Sequence, residues 1–329
     1  MKSIKRIQDL LNSKSQLWFD NLCRVVELLS GVAAIASVLS GFLRYNSDFF
    51  MFISIHWAGI IFFLLMVLSL VLALKYRNSA INKMKVASID TKSIIEKTLI
   101  CIDELSQVEE RIDDYNKDDI CECCESLSKE LVNTVTKIYV NYAIMLLNHL
   151  QRVMKRFIAY DVSYCIKVVI NPTERTVFTL ARSGNTDPTR VAGANIEAKI
   201  DDNSDFEILN RANDMNIHDP YFYESNLDDY NERLKEISNG TQEYKNSNPK
   251  WKEHYIATMV VPISRVNGSN AGNVITYGFL CADSKDERAF NQRQKTINIK
   301  MMQIYATLFG TVSSKYQLIM QIMAGGKNV

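Results

Sequence analysis

The hydrophobic pattern of the chain is most uneven near the N-terminus, where two long apolar runs stand close together. The first covers residues 25–43 and the second residues 49–74, with a short polar connection between them. As helices they would be about 28 and about 39 Å long, against a hydrocarbon core of about 30 Å. We therefore predict a two-span transmembrane hairpin over residues 25–74, preceded by a cytoplasmic segment over residues 1–24. Two buried helices of a soluble protein are the alternative.

Basic residues predict the orientation of this hairpin. Five Lys or Arg residues precede the first run and four lie in residues 75–85, whereas the connection carries only Arg44. Cytoplasmic flanks of membrane spans are rich in Lys and Arg. Both termini are therefore expected in the cytoplasm, with the chain at the inner (cytoplasmic) membrane of a bacterium.

Small residues mark one face of the first run, namely Ser30, Ala33, Ser37 and Gly41. Such spacing lets helix backbones approach closely in lipid. The face can pack against the second run of the same chain or against another chain, and we expect a homo-oligomer. His56 in the second run is an ionisable group within the predicted span, where it can hydrogen-bond a serine of the first run or line a pore.

A helical stalk is predicted over residues 75–124, joining the hairpin to the rest of the chain. Apolar residues recur every three or four positions up to residue 157, which is typical of helices. The acidic stretch at residues 113–119 interrupts the pattern and is predicted to be a turn. The sequence thus indicates two long helices, either antiparallel or consecutive.

A C-x-C-C cluster follows that turn, formed by Cys121, Cys123 and Cys124. Thiolates bind zinc well, but a structural zinc site needs four ligands and the sequence offers no second pair. We therefore predict no metal site. Exposed reduced cysteines are the simpler interpretation, and reversible oxidation is the alternative.

The period of the pattern changes from helix to strand after residue 160. Four apolar runs form two predicted hairpins: residues 165–170 with 176–181, and residues 256–264 with 274–281. A long irregular middle separates the hairpins, and residues 290–323 are again helical. We predict an α+β domain with an antiparallel sheet over residues 125–323, followed by a tail over residues 324–329.

Composition and charge narrow the class of function. The net charge is +1, which argues against direct binding of nucleic acid. Seven cysteines without a secretory signal pattern indicate a reduced compartment. The sequence contains no phosphate loop, no H-E-x-x-H motif and no G-x-S-x-G motif, so neither an enzyme nor a cofactor is predicted.

Two short motifs in the second hairpin carry a resemblance to a known family. Residues 277–284 read YGFLCADS, similar to the G-x-L-x-x-D-S ending of GAF domains, and residues 260–263 read VVPI, which resembles the V-P-I strand of that family. The order of initial helix, hairpin, variable middle, strand and closing helix also resembles GAF domains over about residues 125–320. The resemblance implies a sensor module that binds cyclic nucleotides or other small molecules, or that serves as a dimer interface. The signature of cyclic-nucleotide-binding members is not recognisable, and no cysteine matches the thiol that attaches a bilin.

The resemblance also implies a place for the ligand, on the sheet and under the variable middle. In this chain the middle contains many aromatic residues with carboxylates and amides among them. Such a mixture suits a ligand pocket, a protein-recognition surface, or a small core beneath long loops. The candidate ligand-binding residues are Asp205, Phe206, Tyr221, Tyr223, Asn226, Tyr255 and Asp283.

These features predict a membrane-anchored sensor and effector. The GAF-like module would detect a nucleotide-like small molecule or a protein, and oligomeric hairpins would disrupt the membrane. This arrangement resembles the two-span effectors of bacterial anti-phage systems of the CBASS or retron type. The alternative is a GAF-like binding adaptor in signalling, for which the hairpin is only an anchor.

Overall fold

The computed structural model describes most of the chain after the first apolar run. The described residues are 50–117, 124–186, 197–215, 217, 219–266, 274–292 and 294–324. The chain forms two compact units, Met1–Ile89 and Asp90–Val329.

The first described element is a single helix, α1, which covers Phe50–Lys117 and has 68 residues. The apolar run at residues 49–74 is therefore not a separate helix that ends at Lys75, because α1 continues through Lys75 and Arg77 into a polar stretch. A helix needs about 20 consecutive apolar residues to cross a bilayer. Among the residues that the structure describes, no helix is long and apolar enough to do so.

This finding contradicts the predicted fold class, in which two transmembrane helices precede the α+β domain. The predicted first span, with Ser30, Ala33, Ser37 and Gly41, lies outside the described residues. His56 lies in α1, but its side chain is outside the described part of the chain.

The second unit combines helices with one antiparallel sheet. After α1 come α2 (Cys124–Met154), β1 (Ser163–Asn171), β2 (Thr176–Arg182), β3 (Ala198–Lys199), α3 (Ser204–Asp214), β4 (Phe222–Glu224), α4 (Leu227–Ile237), α5 (Trp251–His254), β5 (Ala257–Val266), β6 (Val274–Ser284) and α6 (Lys295–Met323). Short 3-10 turns cover Ile200–Asp202 and Glu287–Phe290. The six described strands are ordered β3-β2-β1-β6-β5-β4.

Each predicted hairpin is present in the sheet. β1 pairs with β2 across a short turn, and β5 pairs with β6. The two hairpins join through an antiparallel pairing of β1 with β6. The predicted α+β domain with an antiparallel sheet is therefore confirmed.

One face of the sheet is covered by a helical layer made of α2, α6 and the part of α1 after Asp90. The main core lies between this layer and the sheet, with Ile166, Leu280, Tyr305 and Phe309 almost fully buried. The buried stripe of α6 includes Met302, Tyr305 and Phe309. The residues one position earlier, Met301, Ile304 and Leu308, are only half-buried. The buried face of α6 also includes polar residues.

Two tyrosines fix α2 between its neighbours in this layer. The Tyr142 hydroxyl donates to Thr98 Oγ1 of α1 at 2.8 Å, and the Tyr139 hydroxyl donates to Ser313 Oγ of α6 at 2.9 Å. Thr98 and Ser313 are acceptors because each donates its own proton to a carbonyl one turn earlier in its helix. Arg156 also pairs with Asp90, so α1 and α2 run antiparallel. The part of α1 after Asp90, which lies within the predicted stalk, therefore packs with α2 in the second unit.

The other face of the sheet carries a second, smaller core. It contains Phe206 and Leu209 of α3 and Phe279 of β6, together with aromatic residues of the chain between β4 and β5. Because this side is covered by short elements rather than long helices, it leaves room for a cavity. That cavity is the candidate site.

Candidate functional site

A cavity of about 270 Å³ lies on this face of the sheet, between the strands and the chain that covers them. Its floor is formed by β1, β2 and β6, and its cover by the start of α3 and the stretch from Asn246 to Tyr255. The lining residues are Cys165, Lys167, Thr179, Arg182, Ala198, Asn203, Asp205, Phe206, Asn246, Ser247, Asn248, Pro249, His254, Tyr255, Cys281 and Asp283. The cavity thus combines ionisable side chains of both signs with amides and aromatic rings.

Strand register determines which side chains reach the floor. Side chains alternate between the two faces of a strand, so residues opposite one another in neighbouring strands share a face. Arg182 of β2 lies opposite Cys165 of β1, which lies opposite Cys281 of β6. In the next row, Thr179 lies opposite Lys167, which lies opposite Phe279. A bulge in β2 next to this row shifts the register, and it brings Arg182 onto the cavity face.

The start of α3 closes one side of the cavity. Phe206 stacks on Phe279 with ring centres 4.5 Å apart, and Lys167 Nζ lies 5.4 Å from the centre of the Phe206 ring. This stacking fixes α3 over the sheet, because aromatic pairs of this geometry add attraction beyond the area that they bury. Asp205, the residue before Phe206, is consequently held at the cavity wall with only 5% of its surface exposed.

Amide side chains hold the rest of the cover in place. Asn203 Oδ1 accepts from both the backbone amide and the hydroxyl of Ser247, each at 3.1 Å. Asn203 Nδ2 donates to the carbonyl of Lys199 at 2.7 Å. Asn246 Nδ2 donates to the Tyr255 hydroxyl at 2.6 Å. The covering chain is therefore fastened by side-chain hydrogen bonds rather than by a strand or long helix.

Two carboxyl groups face the cavity, and they differ in their hydrogen bonds. Asp283 Oδ1 accepts from the Thr258 hydroxyl at 2.8 Å. Asp205 Oδ1 accepts from the backbone amide of Phe206 at 3.0 Å. Burial raises the pKa of Asp205 to about 7, and the nearby Asp283 raises that pKa further, against the opposing effects of the Phe206 amide and Lys167. Asp205 can therefore donate or accept a proton near neutral pH.

Arg182 supplies an unused donor. Its Nε atom is buried and has no hydrogen-bond partner among the described residues. A buried donor without an acceptor costs about 1–3 kcal/mol, so such atoms call for an explanation. An acceptor atom on a bound molecule would provide one.

Cys165 and Cys281 form the centre of the floor, and both are nearly fully buried. A hydrogen bond from Cys281 lowers the pKa of Cys165 to about 6; burial opposes this effect, and the positive charges of Arg182 and Lys167 reinforce it. The same hydrogen bond and burial raise the pKa of Cys281 well above its usual value. One thiolate can therefore form at this pair while the second thiol keeps its proton.

The structure brings together four of the seven predicted ligand-binding residues. Asp205, Phe206, Tyr255 and Asp283 all line the cavity. They come from α3, from the segment before β5 and from the end of β6. The strand β6 contributes Asp283 to the site. Its last residue, Ser284, anchors the end of the strand, because Ser284 Oγ donates to the Asp161 carbonyl at 2.7 Å.

The other three predicted residues lie away from the cavity. Tyr221 is 43% exposed and sits beside Lys295. Tyr223 points to the helical side of the sheet, where its hydroxyl donates to the Asn291 carbonyl at 3.0 Å. Asn226 caps the start of α4 by accepting from the backbone amides of Asp228 and Asp229. These three side chains therefore do not line the cavity.

Most aromatic residues of the variable middle build the small core rather than the cavity wall. The rings of Tyr244, Trp251 and Tyr255 pack in sequence, and Tyr244 also packs near Phe222. Among these four, Tyr255 reaches the cavity. Of the three interpretations given for these residues, a core beneath long loops and a ligand pocket therefore coexist.

Sequence reasoning missed most of the floor, including Cys165, Lys167, Thr179 and Arg182. The signal was present in part, because Cys165 and Lys167 are alternate residues of a predicted strand and so share a face. Which face carries the site depends on pairing with β6, which local pattern does not reveal.

Metal binding has no support in the described side chains. Within them, no group of three or more His, Cys, Asp or Glu residues is placed to hold a metal ion. Cys121 and Cys123 lie outside the described residues, as does the side chain of Cys124.

Comparison with known proteins finds matches among solved structures. No family model matches the sequence, and no curated protein is significantly similar to it. Among solved structures, the GAF domain of a phosphoenolpyruvate-protein phosphotransferase from Acinetobacter matches 60% of this chain and 97% of its own, with 12% identity and a TM-score of 0.36. A GAF domain/HD domain protein from Geobacter sulfurreducens matches 57% of this chain and 98% of its own, with 10% identity and a TM-score of 0.35. A type II free methionine-R-sulfoxide reductase from Thermoplasma acidophilum matches 54% of this chain and 96% of its own, with 14% identity and a TM-score of 0.33. Similarities of this size carry no information about ligand or activity.

Proposed function

We propose that the α+β domain is a sensor module that binds a small polar molecule in the cavity on its sheet. The observation that supports this function best is the cavity itself, with the buried, unpaired Nε atom of Arg182 in its lining. Pockets for small molecules are typically concave sites in which a few polar groups fix the ligand. The side chains here provide that combination.

The charges around the cavity suggest the chemistry of the ligand. Arg182 and Lys167 both line the floor and favour an anionic group such as a phosphate or carboxylate. Asp205 and Asp283 also line the cavity and favour hydrogen-bond donors on the ligand. A molecule that carries both an anionic group and a hydrogen-bond donor fits this lining, and this class includes the nucleotide-like trigger expected from the sequence.

Asp205 would make binding sensitive to pH. The pKa of Asp205 is raised to about 7, so the charged and the protonated forms are both populated near neutral pH. A hydrogen-bond donor on the ligand would stabilise the charged form, whereas an acceptor would stabilise the protonated form. The direction of the pH effect on affinity therefore reports which group of the ligand faces Asp205.

The proposed function is sensing alone, without a membrane-disrupting output. The predicted membrane-disrupting output in anti-phage defence depended on two spans, and the described residues contain no helix able to cross a membrane. Self-association, location at the inner membrane and the absence of enzymatic activity stay predictions from the sequence.

The test is binding to the purified full-length chain by calorimetry and thermal unfolding. The probes are AMP, 3′,5′-cyclic AMP and L-glutamate, which carry an anionic group and a hydrogen-bond donor at different spacings, and pyruvate, which carries the anionic group without a donor. A ligand at 100 times its dissociation constant stabilises the folded state by about 2.7 kcal/mol, so binding raises the melting temperature measurably.

Variants show whether binding uses the cavity. Arg182→Gln should weaken binding at least tenfold, because it removes one of the two cations of the floor and its buried Nε donor. Arg211→Gln is the matched control, since Arg211 is an exposed residue of α3 whose ion pair with Glu207 lies outside the cavity lining. Failure of all four probes to bind, or equal affinity in both variants, would count against the proposal.

A further inference from the structure

Cys165 and Cys281 are directly opposed residues of the antiparallel pair β1 and β6. Opposed residues in such a ladder have Cα atoms about 4.5–5.5 Å apart, and disulfides bridge Cα separations of about 4.4–6.8 Å. Both side chains lie on the cavity face of the sheet. The Cα separation expected for this pair is therefore within the range that a disulfide can bridge.

We propose that Cys165 and Cys281 form a reversible oxidation site, in which a hydroperoxide that enters the cavity converts the two thiols to a cross-strand disulfide. The oxidation does not require the proposed ligand, because it needs only the paired thiols and access through the cavity.

The chemistry balances in two steps. The Cys165 thiolate attacks one oxygen of the hydroperoxide, the O–O bond breaks, and Cys165 becomes a sulfenic acid. The leaving oxygen takes up a proton and departs as water or an alcohol. The Cys281 sulfur then attacks the sulfenic sulfur, the S–S bond forms, and the sulfenic oxygen leaves as water with the Cys281 proton. The two thiols lose two electrons and the hydroperoxide gains them, and a dithiol reverses the change by thiol–disulfide exchange.

The surroundings assign the attacking role to Cys165. Arg182 lies opposite it on β2, and Lys167 follows two residues later on the same face. Positive neighbours favour the thiolate, which is the nucleophilic form. Cys281 lies farther from Arg182, with Val260 of β5 on its other side, so it is suited to be the second, resolving thiol.

Cys101 is a third buried cysteine of the same unit, and its surroundings do not favour the thiolate. It is buried between helices, and burial followed by the charge of Glu104 raises its pKa to about 12. It does not line the cavity. Cys101 is therefore the internal control for buried but unactivated thiols.

Oxidation would also change the ligand site. The disulfide removes both the thiolate and the remaining S–H donor from the floor, and it leaves Arg182 without the adjacent negative charge. An anionic ligand would then meet a more positive floor, so the two chemistries are coupled through one side chain.

The experiment uses the full-length chain with Cys23, Cys121, Cys123 and Cys124 replaced by serine, which leaves Cys101, Cys165 and Cys281 as the free thiols. The reduced protein is treated with hydrogen peroxide at a twofold excess, and then alkylated, digested and analysed by mass spectrometry. We expect free thiols to fall from three to one per chain, a peptide pair linked through Cys165 and Cys281, and recovery of all three thiols with dithiothreitol.

Two further variants separate the roles. Cys281→Ser should stop at the sulfenic acid of Cys165, which dimedone traps, whereas Cys101→Ser should still form the disulfide. Thermal unfolding of each variant confirms that it is folded. Oxidation of Cys101 at the same rate as Cys165, or sulfonic acid formation without a linked peptide pair in the folded protein, would overturn the proposal. Since no ligand is added, this result does not depend on the outcome of the binding test.

Discussion

Gly278 in β6 faces the backbone of Lys167 in β1 so closely that no side chain can fit between them. A Cβ atom at position 278 would lie 2.0 Å from the Lys167 carbonyl oxygen and 2.9 Å from the Lys167 carbonyl carbon. These atoms are backbone and cannot rotate away. The glycine of the sequence motif that ends in Asp283 and Ser284 is therefore required by the close pairing of β1 with β6, which positions the floor of the cavity.

We predict that Gly278→Ala destabilises the domain by at least about 1–3 kcal/mol, the usual cost of overpacking a core. The strand β1 must move to accept the methyl group, and Lys167 must move with it. Urea unfolding of the full-length chain measures the change. Gly310→Ala in α6 is the control, because its Cβ would meet Ile263 and Ser264 at an ordinary 3.5 Å. An equal loss of stability in both variants would be inconsistent with this explanation.

The hairpins could be predicted because their pattern is local. Alternation of apolar residues within a few positions identifies β1 with β2 and β5 with β6, and the turn between β1 and β2 is short. The floor of the cavity, in contrast, depends on the pairing of strands that are far apart in the sequence. Cys165 meets Cys281 only because β1 pairs with β6 at one register, and the two strands are distant in the sequence. No local pattern encodes that pairing.

The sequence predicts Tyr223 in the ligand site, but its side chain lies on the helical side of the sheet. Its neighbour Phe222 is the residue of β4 whose side chain lies on the cavity side. A shift of one residue moves a side chain to the opposite face of a sheet. β4 has only three residues, which are too few for alternation to show the correct face.

The raised pKa of Asp205 predicts a stability that depends on pH. The pKa of Asp205 is about 7 in the folded state and the ordinary value for an aspartic acid is 3.8, so between these values the folded state holds a proton that the unfolded state has lost. Stability from this group is present at low pH and falls as pH rises towards 7, by up to about 1.4 kcal/mol per pH unit.

Asp205→Asn should remove this contribution while keeping an acceptor for the Phe206 amide. Relative to the parent chain, the variant should therefore be more stable at pH 8 than at pH 5, because the parent buries a charge only at the higher pH. Urea unfolding at the two pH values gives the comparison. An effect of the same size at both would show that Asp205 titrates normally.

The hydrogen bond from Tyr139 to Ser313 predicts an asymmetric pair of mutations. Tyr139→Phe removes the donor and leaves Ser313 with its bond to the Phe309 carbonyl, at a cost of about 0.5–1.5 kcal/mol. Ser313→Ala leaves the buried Tyr139 hydroxyl without its acceptor, which costs about 1–3 kcal/mol.

A double-mutant cycle in urea unfolding tests this asymmetry. The double variant should lose less stability than the sum of the single variants, because removing both partners leaves no unsatisfied group. Tyr142→Phe, which breaks the equivalent bond to Thr98, should behave like Tyr139→Phe and serves as the comparison. Additive losses would mean that the two hydroxyls do not interact in solution.

The lowered pKa of Cys165 predicts an unusual pH profile for its alkylation. The thiolate reacts with iodoacetamide and the thiol does not, so the rate should rise through about pH 6 and level off near neutral pH. The hydrogen bond from Cys281 is the main cause of this low pKa and Arg182 contributes further, so Cys281→Ala and Arg182→Gln should each move the midpoint upward.

The rate of alkylation at Cys165 is followed by mass spectrometry in the chain that retains only Cys101, Cys165 and Cys281. Cys101 should stay unmodified over the same range because its pKa is about 12. A midpoint near pH 9 that neither variant changes would mean that the two thiols titrate independently, and Cys165 would then lack the reactivity that the oxidation site requires.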